Sequence, residues 1–291
     1  GSMSKVLDIR DLHLSFRGYT GVTEVLHGIS LNIRAGERVA LVGESGSGKS
    51  VTARIVLGLL QELRTARISG DLFFEERDLS ALSRREWQGL RGTSMSMIFQ
   101  DPTSSLNPVF TIGTQFVEVL RRRDPKLSDA AALERAGELL HSVSITDHER
   151  VLSSFPFQLS GGMNQRVVIA MALANHPSLL IADEPGTALD VTVQAQTLQL
   201  MHDMVAQANT AVLFISHNLG VVREFADRVY VIYRGRIVEH GSTDAVFHDP
   251  GHAYTRALMA AIPKLTGGGV PEIAEVDDAF FAPMVDHGGQ E

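Results

Sequence analysis

Apolar and polar positions along the chain follow different patterns in its successive parts. Near the start, apolar side chains alternate with polar ones over Lys5 to Ile9 and over Glu24 to Ile33, which predicts antiparallel strands. Arg38 to Val42 is a short apolar strand that runs directly into a glycine-rich loop. After this loop, apolar side chains recur at helical spacing from Val51 to Leu60. The first part of the chain therefore predicts strand, loop and helix in succession.

The middle of the chain is helical in pattern. Ile112 to Leu120 and Ala130 to Val143 carry apolar side chains at helical spacing, and residues 101–160 contain no convincing buried strand. Apolar strand patterns then return, at Leu179 to Ala182, Val212 to Ile215, Val229 to Tyr233 and Arg236 to Glu239. The pair Arg234-Gly235 between the last two predicts a hairpin. Strands alternating with helices favour an α/β core covered on both faces, here interrupted by a helical insertion.

The end of the chain has its own composition. Asp244 to Ile262 look helical, and from Gly267 onward the chain is rich in Gly, Asp and Glu and has no Lys or Arg. This composition predicts an acidic tail that is flexible or loosely docked. We therefore predict an α/β core with an antiparallel β subdomain over residues 4–100 and 161–241. A helical subdomain covers residues 101–160, and a C-terminal extension covers residues 242–291.

Composition narrows the class of protein. The 291 residues are 44% hydrophobic and 21% charged, as in an ordinary globular protein. No apolar run approaches the roughly 20 residues that span a bilayer. The chain has no Cys, which excludes disulfides and Cys-ligated zinc or iron–sulfur centres within it. Its formal net charge of −8 argues against a general nucleic-acid binder, and we expect no nucleic-acid partner.

The glycine-rich loop fits a phosphate-binding pattern. Residues 43–50, GESGSGKS, match G-x-x-x-x-G-K-S/T between a strand and a helix. Backbone N–H groups of such a loop surround phosphates, Lys49 would reach the β- and γ-phosphate oxygens, and Ser50 would bind Mg²⁺. The predicted nucleotide contacts of this segment are Gly43, Ser45, Gly46, Gly48, Lys49, Ser50 and Val51.

Polar residues at the ends of apolar strands supply candidate catalytic groups. Asp183 and Glu184 end one strand, where α/β sheets place ligand-contacting groups. We expect Asp183 to hold Mg²⁺ through water and Glu184 to be the general base that polarises the attacking water. Gln100 follows the apolar run before the helical region and is expected to contact a water of the Mg²⁺ ion. His217 follows another strand and is expected to hydrogen-bond the γ-phosphate.

A second anion site is predicted far from the phosphate loop. Ser160, Gly161 and Gly162 precede the apolar helical run from Val167 to Ala174. Backbone N–H groups and a serine hydroxyl at the positive end of a helix favour an anion. The chain thus contains two phosphate-facing segments.

The order of these motifs resembles that of ATP-binding-cassette nucleotide-binding domains. The phosphate loop, Gln100, Ser160-Gly161-Gly162, Asp183-Glu184, Asp190 and His217 occur in that family's order. Three further segments look like the subfamily that energises dipeptide, oligopeptide and nickel importers. They are residues 98–108 (IFQDPTSSLNP), residues 188–196 (ALDVTVQAQ) and, near the C-terminus, DP at 249–250 followed by HAYT at 252–255.

The resemblance implies a P-loop NTPase, RecA-like core and a mechanism by dimerisation. In such a family, two domains enclose two ATP molecules. Ser160 and Gly162 of one domain, with Gly161, would meet the γ-phosphate held by Lys49 of the other, and Asp190 would link the two sites. An aromatic side chain stacks on adenine, for which we choose Phe16, with Tyr19 as the alternative. Residues 101–110 would receive a coupling helix of a membrane subunit.

The resemblance also implies partners and location. We expect an ATPase of an importer for peptides or a similar small solute, peripheral at the cytoplasmic face of the inner membrane. The implied partners are two transmembrane permease subunits, a second ATPase subunit in a homo- or heterodimer, and indirectly a solute-binding protein. The alternatives are an accessory ATPase of a soluble, non-transport complex and a cassette that acts on nucleic acid or ribosomes. The acidic charge and the single cassette disfavour the last alternative.

The sequence departs from the family pattern at two positions. Asn164 stands where the family usually has Arg, Gln or Lys, and Gly186 stands where it usually has Thr. Neither position carries a catalytic charge, so we expect modest effects. The iron–sulfur centre associated with a C-terminal cysteine cluster in this subfamily is excluded, because the chain has no Cys.

Overall fold

A computed structural model describes residues 4–98, 105–183, 191–216, 219–261 and 275–288. The strands in these residues are β1 (Lys5–Gly18), β2 (Gly21–Arg34), β3 (Arg38–Val42), β4 (Ala66–Phe74), β5 (Arg77–Asp78), β6 (Met95–Ile98), β7 (Leu179–Asp183), β8 (Ala211–Ile215), β9 (Arg228–Tyr233), β10 (Arg236–Ser242) and β11 (Val285–Asp286). The helices are α1 (Lys49–Val56), α2 (Arg84–Leu90), α3 (Ile112–Arg123), α4 (Asp129–Ser142), α5 (His148–Leu152), α6 (Gly161–Leu173), α7 (Val191–Ala208), α8 (Leu219–Phe225), α9 (Thr243–His248) and α10 (Ala253–Ala260).

The chain forms two compact units, one of residues 1–87 and 211–291 and the other of residues 88–210. The first unit contains an antiparallel sheet in the order β2-β1-β4-β5. It also contains strands in the order β11-β10-β9-β3-β8, in which β3 is parallel to both β8 and β9. The strands β3, β8 and β9 are buried along almost their whole length, as expected for the centre of an α/β layer.

The second unit contains the helices α3 to α7, which lie between β6 and β8 in the sequence. The parallel strands β6 and β7 pair with Met95 opposite Leu179 and Ile98 opposite Ala182. Two of the helices begin at side-chain caps: the Thr111 hydroxyl accepts from the Thr114 N–H, and the Ser128 hydroxyl accepts from the Ala131 N–H. The helical pattern predicted for the middle of the chain is observed as α3 and α4.

The P-loop NTPase fold predicted from the sequence is confirmed, and two of its elements differ in extent. The first two strands are antiparallel, as predicted. The strand β1 is much longer than its alternating segment indicates, and β2 extends only slightly beyond its own. The predicted helix from Asp244 to Ile262 is two helices, α9 and α10. The chain breaks between them because Pro250 has no N–H and the Gly251 N–H donates to the buried Glu239 carboxylate, at 2.8 Å.

The C-terminal segment, residues 275–288, is docked on the first unit. Its strand β11 pairs in parallel with β10, and Asp286 accepts a hydrogen bond from His240, at 3.0 Å. The next residue, His287, contacts the Glu239 carboxylate at 2.6 Å. Glu239 and His240 are fully buried. Burial lowers the pKa of His240 despite the nearby Asp286 carboxylate, so the imidazole is held neutral.

Among the helices that the structure describes, none is both long and apolar enough to cross a membrane.

Candidate functional site

The phosphate loop connects β3 to α1 in the first unit. The buried strand β3 ends at Val42, and α1 begins at Lys49. Gly48 immediately precedes the helix with φ +112°, a conformation that side chains rarely adopt. A Cβ at this position would also lie only 2.6 Å from Leu26 Cδ2. The left-handed backbone conformation therefore requires glycine before Lys49, and an added methyl group would also force the buried Leu26 side chain to shift.

Lys49 is turned into the loop. The side chain is buried, with the residue only 4% exposed, and Nζ donates to the carbonyl oxygens of Gly43 at 2.6 Å and Glu44 at 3.4 Å. These carbonyls compensate the desolvation of the ammonium group. Phosphate oxygens are stronger acceptors for a cation than carbonyls, so the same group can transfer its hydrogen bonds to a bound triphosphate.

A hairpin turn holds the loop from the side. The Gly235 N–H donates to the Ser47 carbonyl at 2.8 Å, and the Gly235 carbonyl accepts from the His27 N–H at 2.9 Å. Gly235 lies between β9 and β10 with φ +76°, and a Cβ there would collide with the Val25 carbonyl oxygen. The predicted Arg234-Gly235 hairpin is confirmed, but its contact with the phosphate loop was not predicted.

Gly235→Ala is expected to lower the free energy of unfolding by about 1–3 kcal/mol, because overpacking and a left-handed conformation both penalise the added methyl group. Urea denaturation measures this loss. The matched control is Gly89→Ala in α2, where a Cβ meets nothing within 4 Å. Equal stability of the two variants would show that the turn accommodates the methyl group.

The predicted second anion site lies at the start of α6 in the second unit. Ser160 is the N-cap: its hydroxyl oxygen accepts from the Met163 N–H at 3.2 Å. Ser160 and Gly161 are exposed, and Gly162 is partly exposed. The first N–H groups of a helix have no intrahelical acceptor, and the Ser160 O–H can still donate. The geometry thus leaves donors at an exposed helix N-terminus, as an anion requires.

The structure describes some of the candidate catalytic residues and not others. Asp183 is the last residue of β7 and is partly exposed, and Ser50 is half-buried in the first turn of α1. Gln100, Glu184, Asp190 and His217 lie outside the described residues, so their roles stay predictions.

Two aromatic candidates for adenine stacking lie at one end of the antiparallel sheet. Phe16 is half-buried on β1, opposite Thr23 and Ala66. Tyr19 is fully exposed in the turn between β1 and β2. The choice between them stays a prediction.

The unusual Asn164 is buried in the first turn of α6. Its amide donates to the Pro156 carbonyl at 3.0 Å and so joins the helix to the segment before the second anion site. The family pattern has a long side chain at this position. The shorter Asn164 side chain instead makes a local hydrogen bond to the backbone, which is a structural role.

The fold and loop together define a nucleotide-binding protein of the P-loop class, and comparisons with known proteins refine this class. The ABC transporter family matches residues 26–187. The oligopeptide transport ATP-binding protein OppD of Bacillus subtilis is 47% identical over 94% of this chain and 76% of its own length. The dipeptide transport ATP-binding protein DppD of the same organism is 44% identical over 97% of this chain and 84% of its own length.

Solved structures of ATP-binding cassettes are also similar to this chain. A dimeric ATP-binding cassette in a post-hydrolysis state with ADP and Pi is similar at a TM-score of 0.71 and 27% identity, over 81% of this chain and 98% of that one. The protein cbiO1 of Clostridium perfringens, part of the ABC transporter complex cbiONQ, has a TM-score of 0.70 and 28% identity over 84% and 91% of the two chains. This chain belongs to the ABC transporter family, and it is an ATP-hydrolysing subunit of that family.

Proposed function

We propose that this chain hydrolyses ATP to drive the import of peptides or a similar small solute. The observation that carries the proposal is its similarity, over nearly its whole length, to ATP-binding proteins of oligopeptide and dipeptide transport. The sequence segments that resemble importer ATPases are consistent with it.

At the chemical site, the roles of the residues follow from their chemical types and from the resemblance of their order to the family pattern. Lys49 neutralises charge on the β- and γ-phosphates. Glu184 accepts a proton from the attacking water, and His217 hydrogen-bonds the γ-phosphate. Ser50, Asp183 and Gln100 supply the oxygen ligands, direct or through water, that suit Mg²⁺. When bound, Mg²⁺ offsets the charge that develops on the phosphate oxygens.

The second anion site completes the ATP site of another ATPase subunit. Ser160 and Gly162, with Gly161, meet a γ-phosphate held by the partner's phosphate loop, and Asp190 links the two sites. Exposed N–H donors at the helix N-terminus beside Ser160 support this role. They form a second anion site in a chain that already has a phosphate loop for its own nucleotide.

The partners are two transmembrane permease subunits, a second ATPase subunit of the same or a different sequence, and a solute-binding protein that acts through the permeases. The chain is peripheral, at the cytoplasmic face of the membrane. The second unit supports contact with a permease: Val109, Phe110 and Leu133 are large apolar side chains that are 39–69% exposed. Exposed apolar side chains of this size are candidates for contacts with a partner.

Co-purification with transport tests the proposal. The chain, tagged and expressed in its native host, is expected to recover two membrane subunits and an ATPase, and its deletion is expected to abolish uptake of a labelled di- or oligopeptide. Restoration by the native chain and not by Lys49→Ala provides the control. Recovery of soluble, non-transport partners alone, with peptide uptake intact in the deletion strain, would contradict the proposal.

A further inference from the structure

Tyr254 joins the C-terminal extension to the phosphate loop. It lies on α10, is fully buried, and its hydroxyl oxygen accepts a hydrogen bond from the Glu44 N–H at 3.3 Å. This N–H belongs to the peptide unit whose carbonyl oxygen is that of Gly43. The same carbonyl accepts the hydrogen bond from Lys49 Nζ. One peptide unit of the loop is therefore held by Tyr254 at its N–H and by the phosphate-binding lysine at its carbonyl.

Burial keeps this phenol in its protonated form. Desolvation, together with the charge of the Glu44 carboxylate, raises the pKa of Tyr254. The neutral hydroxyl oxygen therefore stays available to accept from the Glu44 N–H, and this bond restricts the position of the peptide unit.

The ring of Tyr254 is itself fixed by packing. It stacks on Tyr233 with ring centroids 4.4 Å apart. Phe280, from the C-terminal segment, packs edge-on against both rings at 5.5 and 5.7 Å and is itself buried. Aromatic contacts of this kind leave little freedom to the ring. The docked segment therefore contributes to the rigidity of a group that contacts the loop.

We propose that Tyr254 is a positioning residue for the ATP site: the C-terminal extension orients the first peptide unit of the phosphate loop through this phenol. When Lys49 transfers its hydrogen bond from the Gly43 carbonyl to the triphosphate, it starts from a fixed position, because this peptide unit is held by Tyr254. The proposal rests on the assignment of this loop to ATP and is independent of the imported solute.

The test compares Tyr254→Phe with Tyr233→Phe. Both variants lose a buried phenol hydroxyl from the same stacked pair, but the Tyr233 hydroxyl has no hydrogen-bond partner among the residues the structure describes. We expect Tyr254→Phe to raise the KM and Kd for ATP about 3- to 10-fold, the value of one lost hydrogen bond, with kcat changed less. Tyr233→Phe is expected to change these constants less than about twofold.

Thermal melting and a double-mutant cycle separate positioning from simple stability. Loss of ATP affinity that exceeds the control at equal melting temperature supports the proposal. Tyr254 acts through the peptide unit whose carbonyl Lys49 contacts, so Tyr254→Phe is expected to cost less ATP affinity in a Lys49→Ala background. Equal ATP constants for Tyr254→Phe and Tyr233→Phe would overturn the proposal, as would full additivity with Lys49→Ala.

If Tyr254→Phe does not fold, Phe280→Leu carries the test, because it removes the edge-on ring packing that fixes the Tyr254 ring. It is expected to raise the KM for ATP at least about twofold, since a looser phenol holds the Glu44 N–H less well. An unchanged KM would overturn the proposal. Loss of ATP binding in Lys49→Ala, measured in parallel, shows that the loop itself is the ATP site, so failure of that assignment is distinguished from failure of this one.

Discussion

Glu184→Gln is expected to leave ATP binding intact and to lower the rate of hydrolysis at least about 100-fold. The amide has the size of the carboxylate but cannot accept the proton of the attacking water, and general-base catalysis contributes about 10²–10⁴ in rate. Binding is retained because the phosphate loop, which holds the nucleotide, is unchanged. The variant should therefore accumulate as an ATP-bound dimer, observable by light scattering with ATP and Mg²⁺.

The measurements are the steady-state ATPase rate and the Kd for ATP by calorimetry. Glu76→Gln, at an exposed position, is the matched control and should match the native rate. A Glu184→Gln rate within about twofold of the native rate would show that Glu184 is not the base.

Lys49→Ala is expected to weaken ATP binding about 10- to 100-fold. A hydrogen bond to a charged group contributes about 1.5–3 kcal/mol, and Lys49 is the buried cation of the loop. The variant also leaves the Gly43 carbonyl without its shortest described donor, so some loss of stability should accompany the loss of affinity. Melting curves measure that part separately.

Calorimetric titration with ATP checks the affinity, with Lys126→Ala as control because it removes the same charge from an exposed position. Unchanged affinity in Lys49→Ala would refute its contact with the phosphates.

Local signals explain which parts of the fold could be predicted. The order of β3, the phosphate loop and α1 follows from a short apolar run, a glycine pattern and helical spacing, all within 25 residues. The strand β1 is predicted too short for a physical reason. The β1–β2 register shifts between Ile9 and Leu12, where Asp11 has φ +51°. This irregularity interrupts the alternation, and a strict period of two therefore detects only the first part of the strand.

Contacts between distant segments could not be predicted. The pairing of β11 with β10 involves two residues on each strand and joins segments about 46 positions apart, with no periodicity to reveal it. The sequence identifies Tyr254 only as part of a family motif. Its contact with Glu44 could not be predicted, because the two residues are 210 positions apart. Gln100, Glu184, Asp190 and His217 were identified from order and resemblance, and variants of these residues test their roles.

We propose that Ser160 completes an ATP site whose phosphate loop lies on another subunit. The test compares Ser160→Arg with the native chain in two measurements. The Kd for ATP is measured at a concentration where both proteins are monomeric, and the ATPase rate of each is measured in the assembled complex. The expected Kd of the variant is within about twofold of the native value, and its rate is expected to be reduced at least tenfold. The reason is that Ser160 contacts a phosphate only in the assembled complex, where the arginine removes one hydrogen bond to a charged group and fills the space of the phosphate. A monomer of Ser160→Arg that binds ATP as weakly as Lys49→Ala, or an assembled variant with the native rate, would contradict it.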